Sequence, residues 1–217
     1  MVQFEQLYEA GMLQDLTEVF DKYASDLVKE YYAEEDGAGL KPVTKDGKLM
    51  AMVSFPGSLD SSDMVWIRKD WMDRLGLQDP KSMQDIIKIA EDFTFKDPVG
   101  NWKQDTYGIS LNKDLPINAF LLGYHAYLET WIKNDAGEVV NGTIQPEIKT
   151  GLAELQRLYK EGVIDPEFGV KDFAKAMEDV NAGKSGILFL PQWAPFQVKD
   201  MIKKDPNVSM MNQISCP

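Results

Sequence analysis

The sequence is poor in the residues that build most reactive centres. It has one cysteine, Cys216, next to the last position, and one histidine, His125. A single cysteine excludes an intrachain disulfide, and His125 has no second histidine or cysteine at ligand spacing, which argues against zinc and against a nucleophilic triad. No G-x-G-x-x-G, P-loop or G-x-S-x-G occurs, and Gly37-Ala38-Gly39 follows a helical stretch instead of leading into one. No apolar run approaches the ~20 residues that cross a bilayer as a helix. The start, MVQFEQLYEAG, lacks the basic beginning and apolar core of a signal peptide. Either the protein stays in the cytosol or the chain begins downstream of its export signal, and cysteine poverty fits both.

Positive charge is also scarce. Lys and Arg total 23 against 35 Asp and Glu, a net charge of -12 that repels nucleic acid and anionic membrane surfaces. With 35 acids any two could be posed as a glycosidase pair, so no pairing is specific and nothing points to catalysis. What is present is ordinary for a folded domain: 44% hydrophobic and 27% charged residues over 217 positions, enough to bury a core.

The organising stretch is 49–75, LMAMVSFPGSLDSSDMVWIRKDWMDRL. Apolar runs at 49–55 and 64–67 are separated by turn formers at 56–63, and a helix follows with Asp70 as its expected N-cap and Gly76 just past its end. Upstream, Phe4, Leu7 and Tyr8 mark a short helix stopped at Gly11. Val19, Phe20, Tyr23, Leu27 and Tyr31 mark one face of a second, single helix ending near 34–36. Asp46-Gly47 reads as a tight hairpin turn.

Downstream, Ser82 with Asp85 resembles a capping box, and Ile86, Ile87, Ala90 and Phe93 supply a buried helical face. A short strand is expected at 107–111, an apolar helix from Pro116 through His125 to Leu128, and a surface hairpin at 134–142. Pro146 starts a long helix that Gly162 ends, Asp172 caps another that Gly183 ends, and Gly186-Ile187-Leu188-Phe189-Leu190 is a fully buried strand. Helices alternating with strands predict an α/β fold with a parallel or mixed sheet. The chain opens on a helix and stops at NQISCP with nothing to close it, as a fragment of a larger protein would.

WIRKDWMDRLGL resembles the segment after the first hinge crossing of extracellular solute-binding proteins of sugar-type ABC transporters. NDAGEVVNGTIQPEIKTGLAELQRLYKEGVIDPEF, followed by AGKSGILFLPQW, resembles the core of that family's second domain, nearest to the Gram-positive lipoprotein group and more distantly to maltose-binding protein. The resemblance spans about residues 11–193. It implies a type II periplasmic-binding-protein-like fold: 1–63 as part of the first lobe with a hinge strand, and 64–217 as the second α/β lobe. It further implies an oligosaccharide ligand, ABC permease subunits as partners, and an extracellular protein held at the membrane only by a lipid anchor outside this chain. In that mechanism the hinge strands near 52–55 and 64–67 bend as the lobes close.

Trp193, in LPQWAPF, matches the family's cleft tryptophan. An indole after a buried strand sits at the carboxyl end of the sheet, where open α/β sheets bind ligands, and it can stack on the C–H face of a sugar. Gln192 and Phe196 are its neighbours. Trp131 and Tyr124 lie where relatives place cleft aromatics, with helix packing the competing reading, and Trp66 and Trp71 read as core. Some relatives carry an EF-hand-like calcium loop at 97–105, for which Asp97, Asn101, Asp105 and the Lys103 carbonyl keep ligand positions and Thr106 could replace one ligand. Val99, Trp102 and Gly108 depart from that pattern, and the simpler reading is a turn held by Asx hydrogen bonds. No other cofactor is implied. Two rivals stay open, a glycan-processing enzyme and a protein-interaction domain presenting its acidic first helices.

Overall fold

The structure, a computed structural model, describes residues 2–54 and 62–213. They fall into two compact units, Met1–Pro56 and Gly57–Pro217. Phe55 and most of the turn-forming corner, 56–61, lie outside the described residues, as does Cys216.

In the first unit, α1 (Val2–Glu9) is followed by α2 (Thr17–Tyr23) and α3 (Asp26–Gly37). The single helix expected over 19–31 is therefore two. Ala24 turns extended at ψ 134, and the Ser25 hydroxyl accepts from the Val28 amide at 3.4 Å, starting a new helix. β1 (Thr44–Lys45) and β2 (Lys48–Leu49) form the hairpin read from Asp46-Gly47, with both turn residues left-handed at φ 51 and 75. Of the hinge strand expected over 52–55, the described residues 52–54 carry no ladder, and the strand before them stops at Leu49.

The second unit is an α/β domain. β3 (Met64–Arg68) leads into α4 (Lys69–Leu75), α5 (Met83–Phe95), β4 (Tyr107–Ile109) and α6 (Asn118–Leu122). The hairpin β5 (Trp131–Lys133) and β6 (Val139–Asn141) comes next, then α7 (Pro146–Lys160), α8 (Phe173–Asn181), β7 (Ser185–Leu190), α9 (Ala194–Gln197), α10 (Lys199–Lys204) and β8 (Met210–Gln213). The main sheet runs β4-β7-β3-β8, with β4 parallel to β7 and the other two pairings antiparallel. The mixed sheet agrees with the pattern of the sequence. β8 does not: the tail that reads as unstructured supplies an edge strand, registered Arg68 to Met210 and Val65 to Gln213.

Alternation along the central strands splits the core in two. Val65, Ile67, Ile187 and Phe189 join the larger cluster with α4 to α7, while Trp66 and Leu188 join Met177, Val180, Val198 and Met201 in the smaller. Trp66 and Trp71 are core, as read from the sequence. α5 comes unusually close to the sheet. A Cβ on Gly108 would stand 2.2 Å from the Ala90 carbonyl oxygen, and one on Gly186 would stand 2.2 Å from the Phe93 ring.

Helix ends follow mostly from local chemistry. α4, α7 and α8 stop in paired bonds of the Schellman type at left-handed Gly76, Gly162 and Gly183. Ser82 accepts from the Asp85 amide at 3.2 Å, while the Asp85 carboxylate takes the Lys81 amide, one residue before the cap. Asp70 is not an N-cap. Its carboxylate is bound by the Arg68 guanidinium at 2.8 and 2.5 Å, and Arg68 itself is the extended cap residue, with no side-chain bond to the helix's first amides. The helix expected over 116–128 is α6 alone. It closes with His125 left-handed at φ 55, where a glycine usually stands, and with the Ala126 amide on the Leu121 carbonyl.

One charged network ties α8 to the loop before it. Lys171 Nζ bonds Asp165 and, at 2.5 Å, Asp179, which also takes Lys184 at 2.8 Å. Burial alone would raise the Asp179 carboxyl, but the two lysines carry it below its usual 3.8. Burial likewise opposes the Lys171 charge, yet Asp165 and Asp179 hold its pKa above 10.5.

Two stability predictions follow from this packing. Gly108→Ala should cost about 1–3 kcal/mol or more in urea unfolding, because the obstructing atom is backbone and cannot swing away. Lys171→Met should cost about 3 kcal/mol near neutral pH, since it removes the ion-pair partner of Asp165 and leaves Asp179 with Lys184 alone, in a site where the lysine is only 16% exposed. The depressed Asp179 contributes stability above 3.8 that is lost as pH falls through its folded value, and the raised Lys171 contributes below 10.5 and is lost above it. The wild-type advantage over Lys171→Met should therefore be flat between those limits and shrink outside them.

Candidate functional site

Three chain segments meet at one edge of the main sheet. β4 and β7 are parallel, so their carboxyl ends share that edge, and β3 is antiparallel, so it begins there, with Met64 opposite Leu190. From β4 the chain continues into Ser110, Leu111 and Asn112, and from β7 into Pro191, Gln192 and Trp193.

Trp193 is 37% exposed, and its ring is met edge-on by Phe173 at 6.2 Å and 76°. Phe173 opens α8, whose cap Asp172 accepts from the Lys175 amide at 2.9 Å. The neighbouring α9 begins immediately after Trp193, with Ala194 buried in the smaller core cluster. The indole is thus anchored on one side and open on the other. Phe173 also lines a cavity of about 20 Å³ with Ser110, Asn112, Leu188 and Leu190. That volume holds at most a water, so a larger ligand would lie on the open face. Asn112 is buried, its side-chain oxygen accepting from the Asp114 amide at 2.9 Å. At the start of β3, desolvation raises the carboxyl of Asp63.

The other aromatics expected near Trp193 separate. Gln192 and Phe196 flank it in sequence and are exposed. Tyr124 stacks at 5.5 Å on Phe120 and lines a depression on α7 with Glu154 and Arg157; burial is the main cause that pushes its hydroxyl up to about 12. Trp131 lies exposed on the β5–β6 hairpin. Phe173 was missed from sequence because a phenylalanine at a helix start reads as core. A more apolar groove lies elsewhere, about 420 Å³ between α7 and the segments around Leu115 and Phe168. With Gln156 and Tyr159 as its few polar groups, it offers little to the hydroxyls of a sugar.

Loop 97–105 is held by its own amides. The Asp97 carboxylate accepts from Gly100 at 2.7 Å, Asn101 at 3.1 Å and Trp102 at 2.7 Å. Desolvation would raise that carboxyl, but these amides and the Arg74 guanidinium hold it below its usual value. Asn101 accepts from the Lys103 amide and donates to Asp105 at 3.2 Å. Arg74, on α4, donates to the Val99 carbonyl. Thr106 is buried and turned away, its hydroxyl on the Phe93 carbonyl at 2.7 Å.

This donor set does not fit a resident calcium ion, which takes 6–8 oxygens. Val99 offers no side-chain oxygen, Asn101 and Thr106 are committed elsewhere, and a guanidinium already stands beside the loop. Among the described residues no group of three or more His, Cys, Asp or Glu is placed to hold a metal, and no helix is long and apolar enough to cross a membrane.

Comparison with known proteins gives this geometry its family. A family model described as bacterial extracellular solute-binding protein matches residues 1–212. The polygalacturonan/rhamnogalacturonan-binding protein YtcQ of Bacillus subtilis is 28% identical over 179 residues, 82% of this chain and 36% of its own length. Lipoprotein LipO of the same organism is 31% identical over 128 residues, 56% of this chain and 25% of its own. Among solved structures, the substrate-binding protein FusA of S. pneumoniae in complex with kestose aligns with a TM-score of 0.68 at 24% identity, covering 88% of this chain and 41% of that one. The chain therefore spans between a quarter and about two fifths of the relatives' length, and its α/β fold is of the periplasmic-binding-protein-like kind. YtcQ and FusA are named as binding proteins and LipO as a lipoprotein. On the extent of the family match and the shared fold, this chain belongs to the bacterial extracellular solute-binding proteins.

Proposed function

We propose that this chain is the ligand-contacting part of a receptor that captures an oligosaccharide outside the cell and delivers it to an ABC importer. Residues 64–217 form its second lobe and residues 1–63 belong to the first. The observation that carries this reading is the Trp193 indole, half-exposed at the carboxyl edge of the sheet and propped by Phe173. An apolar ring face matches a sugar's C–H face, and the polar groups around Asn112 and Asp63 suit its hydroxyls. The sugar favours the closed form of the protein through its higher affinity for that form. The ligand leaves unchanged, and a lipid anchor holds the protein at the cell surface.

YtcQ is named for acidic polysaccharides and FusA was solved with kestose, which is neutral. The chain carries a net charge of -12. That charge favours a neutral oligosaccharide, because a uronate would meet net repulsion.

Tryptophan fluorescence of the intact protein, titrated with neutral oligosaccharides and with polygalacturonan fragments, tests this reading. A saturable change with a neutral sugar that is recovered intact supports it; no response to any sugar, or turnover of the sugar, refutes it. Trp193→Ala should weaken binding about tenfold or more, equivalent to at least ~1.4 kcal/mol, and unchanged affinity would remove the stacking platform.

A further inference from the structure

Loop 97–105 is tightly turned, although two of its three left-handed residues are not glycine. Asp97, Gly100 and Trp102 are left-handed at φ 49, 76 and 61. Glycine adopts that conformation freely, whereas a bulky tryptophan does so only where the surroundings impose it. Trp102 is imposed upon: its amide is bound by Asp97, and its side chain is left 96% exposed, with no packing to explain the geometry. The loop therefore holds its turn for a reason other than Trp102 itself.

The Asp97 amide bonds are one such reason, and a second anchor is on α4. The Arg74 side chain reaches the Val99 carbonyl and packs so closely that a Cβ on Gly100 would stand 2.9 Å from Nη1. Its positive charge faces the same loop whose Asp97 carboxylate collects three amides. We propose that loop 97–105 is a calcium-independent form of the family's metal loop, in which the Arg74 guanidinium supplies the positive charge that a bound calcium would otherwise supply. The loop then needs no ion to hold together α4 and the segment after α5. Val99 and Trp102 are tolerated at the positions where a metal would require an oxygen and a glycine.

Two measurements on the intact protein decide this. Thermal melting should be the same in excess calcium and in excess EDTA. A resident ion at ~100 times its dissociation constant would instead raise Tm by about 5–10 °C. Terbium, which the neighbouring Trp102 indole would sensitise if it bound in the loop, should give no saturable luminescence that calcium displaces. Calcium-dependent melting or displaceable terbium luminescence would overturn the proposal. Arg74→Met should lower Tm by about 2–4 °C, and Arg74→Lys, which keeps the charge, should recover part of that loss. Equal melting of Arg74→Met and wild type, or no recovery with lysine, would remove the role assigned to Arg74. The calcium, EDTA and terbium measurements need no variant, so they decide the metal question even if Arg74→Met fails to fold, and none of these results bears on sugar binding.

Discussion

The absence of side chains at Gly108 and Gly186 sets how α5 meets the sheet. At both positions the space of a Cβ is already filled, by the Ala90 backbone in one case and by the Phe93 ring in the other. This contact lets Phe93 become fully buried and meet Trp71 edge-on at 5.2 Å. Trp71 in turn receives the Arg68 guanidinium over its ring at 4.5 Å, and Arg68 is the last residue of β3. One close approach thus connects β4, β7, α5, α4 and β3. The loop 97–105 follows α5 directly, so its position is inherited from the same packing.

What the sequence made legible was local and periodic. Pro146, Gly162, Asp172 and Gly183 mark helix ends because each carries a cap whose chemistry is complete within a few residues. The buried strand 185–190 is equally visible, since both its faces are covered and it reads as an apolar run. Legibility failed where partners distant in sequence decide. β8 is a strand only because β3 offers an open edge to residues 142 or more positions later. Asp70 loses its capping role to Arg68, two residues before it, because a guanidinium bonds a carboxylate more strongly than an amide does. His125 breaks an apolar helix by taking a glycine's conformation, which no pattern of apolar residues announces.

The candidate site divides along the same line. Trp193 was identifiable because a strand followed by Pro-Gln-Trp places an aromatic at the sheet's carboxyl edge whatever the rest of the chain does. Its support was not: Phe173 is twenty residues earlier and reads as the first core residue of a helix. Trp131 and Tyr124 were grouped with it because relatives place cleft aromatics in their region, with helix packing the competing reading, and the fold puts one on a hairpin and the other against α7. Residue types suited to sugar contact are common; what selects among them is tertiary placement.

Supporting an indole has consequences far from the ligand. A stacking surface contributes most when its ring is held before the sugar arrives, because ordering it on binding would cost part of the gain. Phe173 can hold Trp193 only while the first turn of α8 is fixed, and two contacts fix that helix. Asp172 caps its start, and Asp179, near its end, is bonded by Lys171 and Lys184. Lys171 also reaches back to Asp165, just after Ile164, which bridges to Ile109 of β4. The charged network therefore aligns α8 with the strand whose carboxyl end carries Asn112. A loss there would act on the platform by loosening α8, without any contact with the ligand.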